Sequence, residues 1–245
     1  MLTKKRLIAA GLATFIVGVL LTFPARVPYG WFSSPDFRLS GISGTVWRGQ
    51  AAEGFAAGIY LRDLQWSIQP LSILKGRLAY RVESNNTFGT IRSVVGLGLS
   101  GAVTLEDFAS TSSLQEFRDM FQLQGFDGTL QADFESIVLE NGFPTAATGS
   151  VRLSNLLAPQ LSPLAIGDYR AEFTSNPDGI LGLVEDSGGV LDVAGTIVLG
   201  LDRSYSFVGT VAATPEAPTG LSDQLRFLGS PDARGYREFR IEGRL

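Results

Sequence analysis

Side chains able to carry out acid–base, nucleophilic or metal chemistry are few in this sequence. Its 245 residues contain no histidine and no cysteine, which excludes Ser–His–Asp and Cys–His catalysis, iron–sulfur centres and the usual zinc sites. A Ser–Lys hydrolase would depend on Lys75, the one lysine beyond the first five residues, which lies in a turn-like Leu-Lys-Gly-Arg stretch. The sequence therefore predicts a non-enzymatic protein with no catalytic residues.

The carboxylates form two groups that could do chemistry. Asp127, Asp133 and Glu135 could be the paired acids of a glycoside hydrolase, but Asp133 and Glu135 alternate with apolar residues, as on the solvated face of a strand. A second group could offer oxygen ligands to calcium, although its spacing fits no EF-hand and Asn-Pro-Asp-Gly at 176–179 favours a β-turn. Its members are Asp168, Asp178, Glu185, Asp186 and Asp192. We expect neither a metal site nor a cofactor site.

Two groups of glycines and two tryptophans are the remaining candidates for a binding site. The glycine groups lack the Lys-Ser or Lys-Thr helix start that a phosphate cradle needs, and they are only a weak signal for a dinucleotide. They are Gly96 and Gly98, and Gly182, Gly188 and Gly189. Trp47 and Trp66 lie in or beside alternating segments. We expect them in the core, with an apolar groove for lipid or a partner strand as the alternative.

Alternation of apolar and polar residues predicts a mainly β fold after residue 24. The pattern is clear at residues 77–82, 130–135, 197–201, 205–211 and 238–245. A Gly-small-aliphatic phrase recurs at Gly44, Gly101, Gly128, Gly149, Gly195 and Gly209. It predicts glycines that open strands in a meander of ten to twelve strands. The expected architecture is one curved, mostly antiparallel sheet that forms a groove or a partly open barrel or sandwich.

Four segments interrupt the alternation. Ser113 to Glu116 resembles a capping box before a short helix that carries Leu114, Phe117 and Phe121. Leu221, Leu225 and Leu228 predict a second short helix, which Gly229 ends. The stretch from Asn155 to Gly167 is expected to cross over the sheet, and residues 214–220 to form an exposed linker.

The N-terminal residues predict a membrane anchor. Lys4, Lys5 and Arg6 precede an uncharged run from Leu7 to Phe23, and Pro24 follows. The run fits a bilayer core, and the bulky residues after it argue against signal-peptide cleavage. We therefore expect a cytoplasmic tail (1–6), an uncleaved transmembrane signal-anchor helix (7–23) and a periplasmic β domain (24–245). The aromatic residues at 29, 31 and 32 fit either the headgroup layer or the folded domain.

The charge balance beyond the anchor excludes a nucleic-acid footprint. Three of the 20 basic residues precede the uncharged run, so 17 basic residues face 24 acidic ones. A mildly acidic domain of this kind attracts neither nucleic acid nor an anionic membrane leaflet.

Several phrases in order along the chain resemble the type II secretion system protein N family, bitopic inner-membrane proteins of the general secretory pathway. These phrases are residues 22–26 (TFPAR), 39–51 (LSGISGTVWRGQA), 64–78 (LQWSIQPLSILKGRL), 185–198 (EDSGGVL to GTIV), 228–235 (LGSPDARG) and 243–245 (GRL). The middle of the chain, from about Ser84 to Phe126, contributes little to the resemblance.

The resemblance implies an accessory or scaffold component of the machine that exports folded proteins from the periplasm. Its expected location is the bacterial inner membrane, as a single-pass protein whose partners are other inner-membrane subunits of the secretion system. The architecture is also similar to that of AsmA-like envelope proteins. That similarity leaves a lipid-binding or lipid-transfer protein with an apolar β groove as the alternative function.

Overall fold

The described part of the chain forms one β-sheet preceded by a helix. The computed structural model describes residues 4–32, 37–56, 59–74, 76–86, 89–98, 101–117, 125–160, 162–163 and 165–244. The helices are α1 (Lys4–Leu21), α2 (Arg26–Phe32), α3 (Pro70–Ile73) and α4 (Thr219–Gln224), with 3₁₀ turns at Leu114–Phe117 and Leu225–Leu228. The strands are β1 (Phe37–Ser40), β2 (Ser43–Gly44), β3 (Arg48–Ala56), β4 (Ile59–Ile68), β5 (Leu78–Asn86), β6 (Gly89–Leu97), β7 (Val103–Ser113), β8 (Asp127–Glu140), β9 (Phe143–Leu157), β10 (Gly167–Asn176), β11 (Gly179–Gly189), β12 (Leu191–Gly200), β13 (Ser204–Ala213) and β14 (Arg237–Arg244).

The sheet is an antiparallel meander in sequence order. The strands run β1-β3-β4 and so on to β14, and the two-residue β2 pairs with β3. Tight turns explain this order: Asn141 and Gly142 join β8 to β9 with φ of 51° and 76°, the backbone that an Asn-Gly hairpin requires. The prediction of a mainly β, antiparallel meander is confirmed, with more strands than expected.

The sheet is open rather than closed into a barrel or a sandwich. In the part of the chain that the structure describes, β1 and β14 lie at opposite edges and no strand pairing joins them. The chain exposes 15,547 Å², whereas a compact monomer of 26.2 kDa exposes about 10,500 Å². The extra exposed surface is what a single layer leaves uncovered.

The N-terminal helix differs in its bounds from the predicted 7–23. Among the described residues it extends from Lys4 to Leu21. Pro24 then forms a β-bridge with Thr45. Judged on length and apolar character together, none of the helices in the described ranges is sufficient to cross a membrane.

Two predicted interruptions need correction. Within the described residues, the predicted helix after Ser113 is a 3₁₀ turn at Leu114–Phe117, and the Ser113 hydroxyl accepts a hydrogen bond from the N–H of Gln115; Phe121 lies outside the described residues. The stretch 155–167 does not cross the sheet. β9 continues to Leu157, and the N–H of Ile166 donates to the carbonyl of Leu156 at 2.7 Å, so the chain returns at once into β10. The predicted helix over residues 221–228 is confirmed as α4 and the 3₁₀ turn that follows it.

Candidate functional site

One face of the sheet carries a row of apolar side chains across eight strands. Residues that lie opposite each other on paired strands point to the same side of a sheet. We call this side the apolar face. The row, from β7 to β14, is Phe108, Phe134, Gly149, Phe173, Gly182, Ile197, Phe207 and Ile241.

Aromatic rings on the apolar face meet across the strands. The ring centroids of Phe108 and Phe134 are 6.3 Å apart, and those of Phe134 and Phe173 are 5.7 Å apart. Phe134 and Phe173 belong to strands that are not neighbours: Gly149 lies between them. Because glycine has no side chain, the two rings close over it. All three rings are half-buried, so the row is packed but still open to solvent.

This packing corrects the prediction that recurring glycines open strands for three of the six glycines, whereas Gly44, Gly101 and Gly128 do lie in or next to the first residues of β2, β7 and β8. Gly149, Gly195 and Gly209 lie in the middle of strands. A Cβ on Gly195 would lie 2.7 Å from the ring of Phe207, and one on Gly209 would lie 2.9 Å from the ring of Phe239. These glycines are therefore seats for aromatic rings of the adjacent strand, an arrangement known to stabilise glycine in sheets.

The opposite face is polar and solvated. A row of mostly hydrophilic residues crosses the sheet from β2 to β10: Ser43, Gln50, Gln65, Glu83, Arg92, Ala109, Asp133, Ser150 and Glu172. Asp133 and Glu135 are both exposed on their strand. Asp127 instead accepts hydrogen bonds from the side chain of Gln115 and from the N–H of Gly128. Asp127 is thus engaged apart from Asp133 and Glu135, which stay exposed farther along the same strand.

The second carboxylate group is also dispersed. Asp168 accepts from the N–H of Asn155 at 2.6 Å, Asp186 accepts from the N–H groups of Gly188 and Val193, and Asp192 accepts from the hydroxyl of Tyr236. Asp178 lies in the predicted turn, and Glu185 pairs across to β10 and β12. No group of three potential ligands forms among the described residues. Lys75 lies outside them.

Tyr169 is the most perturbed titratable group in the described sheet. It lies opposite Leu153 of β9 and Asp186 of β11. Burial raises the pKa of Tyr169 to about 12, and the negative charges of Asp186 and Asp168 add to the effect. A tyrosine held neutral in this way is a packing residue, since deprotonation is what its surroundings oppose.

Neither tryptophan lies in the core, contrary to expectation. Both are half-buried at the end of the sheet where α1 ends. The indole N–H of Trp47 donates to the carbonyl of Leu20 in α1 at 2.6 Å, and that of Trp66 donates to the carbonyl of Thr45 at 3.2 Å. Trp47 ties the last turn of α1 to the first strands, sharing the carbonyl of Leu20 with the N–H of Phe23, and Trp66 holds the segment that precedes β3.

The two edges of the sheet differ. The first edge is covered by the segment that follows α1: the N–H of Ala25 donates to the carbonyl of Gly44, and the N–H of Val46 donates to the carbonyl of Phe23. Farther along this edge, the hydroxyl of Tyr29 accepts from the N–H of Leu39 at 2.8 Å. At the last edge, no described strand pairs with the outer side of β14.

The open edge strand is charged on its polar side. Glu238, Arg240, Glu242 and Arg244 alternate in sign and are exposed, and Arg240 pairs with Glu242 at 2.5 Å. Charges on an edge strand discourage unspecific pairing and leave the edge to a partner of complementary charge. Sequence reasoning identified this strand but not that it is the free edge, which depends on the order of all the strands.

Comparisons with known proteins match the chain to one family over most of its length. Residues 35–240 match the profile of the family described as Type II secretion system (T2SS), protein N. The type II secretion system protein N of Aeromonas hydrophila is 26% identical over 99% of this chain and 99% of its own length. That of Vibrio cholerae serotype O1 is 27% identical over 98% and 100%, and that of Klebsiella pneumoniae is 25% identical over 94% and 92%. No solved structure matches the chain. With a profile match over most of its length, the chain belongs to the type II secretion system protein N family.

Proposed function

We propose that the protein is a non-enzymatic scaffold of the type II secretion system, tethered to the inner membrane by α1 and exposing its sheet to the periplasm. A strand of another inner-membrane secretion component pairs with β14. The asymmetry of the edges carries the proposal, because residues 23–29 hydrogen-bond to the first edge at Gly44, Val46 and Leu39, whereas the outer backbone groups of the eight-residue β14 pair with no described strand. Backbone pairing supplies affinity in such complexes, and the alternating charges of β14 supply specificity.

Membrane attachment rests on the surface of α1. Its large apolar side chains are exposed on every side of the helix, with Ile8, Phe15 and Leu21 between 64% and 70% accessible. The uncharged run from Leu7 to Phe23 has seventeen residues, the short end of the range of about 17–25 for a span. The cations at its start favour a cytoplasmic N-terminus.

The experiment on the edge uses a photo-reactive side chain at two arginines. Placed at Arg240 on β14 of the full-length protein in cells with a working secretion system, it is expected to crosslink to a secretion component. The matched control is Arg38 on β1, at the covered edge. Equal capture at both positions, or none at Arg240, would refute the pairing.

The anchor is tested separately. Alkaline extraction of membranes is expected to leave the full-length chain in the pellet, and a protease added to the periplasmic side is expected to cleave after Arg26 and not before Leu7. Release into the alkaline supernatant would contradict the tether without bearing on β14.

The open apolar face favours a second candidate, a lipid-binding protein. The row from Phe108 to Ile241, half-buried at its aromatic rings and exposed at Ile241, could hold acyl chains, since an uncovered apolar surface across eight strands marks a binding site. Native mass spectrometry of the full-length chain in detergent tests this. Co-purified phospholipid that is lost in Phe173→Asp but retained in Glu172→Ala would support it.

A further inference from the structure

A second apolar surface projects from the sheet beside α1. Three side chains in and next to α3 are among the most exposed large apolar residues after α1: Leu71 at 75%, Ile73 at 54% and Leu74 at 85%. The adjoining cross-strand pair Leu78 and Leu97 is 40% and 49% exposed. We call these five residues the α3 patch.

A short chain of hydrogen bonds joins this patch to the end of α1. The indole of Trp47 donates to the carbonyl of Leu20, and the carbonyl of Trp47 accepts from the N–H of Ile68 at 2.7 Å. Pro70, the first residue of α3, follows Ile68 by two residues, which span at most about 7 Å. The α3 patch and the end of α1 therefore lie close together at one end of the strands.

Three other connections at this end of the strands carry fewer exposed aliphatic side chains. They are Asn141-Gly142 (β8–β9), Pro177-Asp178 (β10–β11) and Leu201-Asp202-Arg203 (β12–β13), and Leu201, 52% exposed, is the large aliphatic residue among them. The concentration of aliphatic side chains at the β4–β5 connection is thus local to the position where α1 leaves the sheet. Neither strand pairing nor turn formation requires leucines at these exposed positions.

We propose that the α3 patch is a second membrane contact, inserted into the headgroup and upper acyl region of the bilayer beside α1. This inference rests on the proposed tether, because α1 brings the patch to the surface. Apolar side chains at this depth gain free energy in proportion to the apolar area that they bury, and the five residues of the α3 patch are all exposed. With two contacts at one end, the strands stand with that end toward the membrane, and their other ends, including α4, point away from it.

The test uses single cysteines, because the chain has none of its own. Full-length Leu74→Cys, labelled with an environment-sensitive fluorophore, is reconstituted into vesicles of phosphatidylethanolamine and phosphatidylglycerol that contain a nitroxide-labelled lipid. About a twofold loss of fluorescence is expected, as for a group at the interface. Phe15→Cys in α1 is the positive control. Leu201→Cys, 52% exposed at the same end of the strands but far along the sheet, and Phe227→Cys, 92% exposed at the other end, are the negative controls.

The outcomes separate the two proposals. Quenching of the fluorophore at positions 15 and 74 but not at position 227 supports the contact. The double change Leu71→Ser, Ile73→Ser should then abolish quenching at position 74 and leave quenching at position 15 unchanged. Quenching at Phe15 alone would overturn the contact and leave the tether intact. No quenching at either position would overturn both. If the cysteine at position 74 is shielded from labelling reagents in native membranes but its fluorophore is not quenched in lipid vesicles, the patch binds a protein partner and the membrane contact is overturned.

Discussion

The change Phe134→Ala tests whether the aromatic row stabilises the open sheet. The ring of Phe134 contacts Phe108 on one side and, over Gly149, Phe173 on the other. Each aromatic pair stabilises the fold by about 0.5–1.5 kcal/mol in addition to the effect of burying apolar surface. Replacing a fully buried Phe by Ala lowers the free energy of unfolding by about 3–5 kcal/mol. Since Phe134 is only half-buried, we expect the free energy of unfolding to fall by about 3 kcal/mol.

The assay is urea unfolding of the full-length protein in detergent, followed by tryptophan fluorescence. The matched control is Phe227→Ala, a side chain that is 92% exposed, where we expect a change within about 0.5 kcal/mol. Phe134→Leu should recover part of the loss, because it refills the site with apolar volume. A cost below about 1 kcal/mol for Phe134→Ala, or equal costs at 134 and 227, would show that the row does not hold the sheet.

Three further predictions concern single residues. Gly149→Ala should lower the midpoint of urea unfolding, because its Cβ would lie 2.4 Å from a backbone carbonyl of β8, whereas Gly220→Ala, with open space around it, should not. Burial raises the pKa of Tyr169 to about 12 in the folded state, whereas the same hydroxyl in the unfolded chain ionises near pH 10. The contribution of Tyr169 to the free energy of unfolding should therefore be unchanged below pH 10 and fall by about 1–2 kcal/mol between pH 10 and 12. Tyr169→Phe should remove that part of the loss in unfolding curves measured across this range, and identical pH profiles would contradict the assignment. Trp47→Phe removes the donor to α1, so trypsin should cut after the exposed Arg26 several-fold faster; an unchanged rate would show that the indole does not hold the helix.

The strands could be predicted because their cause is local. Alternation at residues 77–82 and 130–135 follows from one solvated and one apolar face, and hairpin turns such as Asn141-Gly142 carry their own backbone preference. The consecutive order of most strands follows from short connections, although β8 and β14 also pair with the preceding strand across the longer connections 114–126 and 214–236. The family could also be recognised, because its phrases recur in order along most of the chain.

The edges and the aromatic seats could not be predicted, because they depend on register between strands. The phrase Gly-Ser-Val at residue 149 locally predicts a strand start, and only the pairing of Gly149 with Phe134 shows that the glycine lies beneath a ring. Trp47 looked like a core residue, since nothing in its neighbours along the chain indicates a carbonyl of α1 twenty-seven positions earlier. Whether the outer side of β14 is free depends on whether the sheet closes so that β1 pairs with β14, and the sequence of neither strand indicates this.

The strictly consecutive pairing of the strands also bears on how the molecule is built. From β3 to β13, each described strand meets the one before it and the one after it in sequence, so no pairing waits for a distant segment to be synthesised. Most of the hairpins close over a short loop, which keeps the entropic cost of those steps small; the connections 114–126 and 214–236 are longer. A polypeptide that emerges gradually from its N-terminus can therefore add its strands to the sheet one after another, and β14 pairs last.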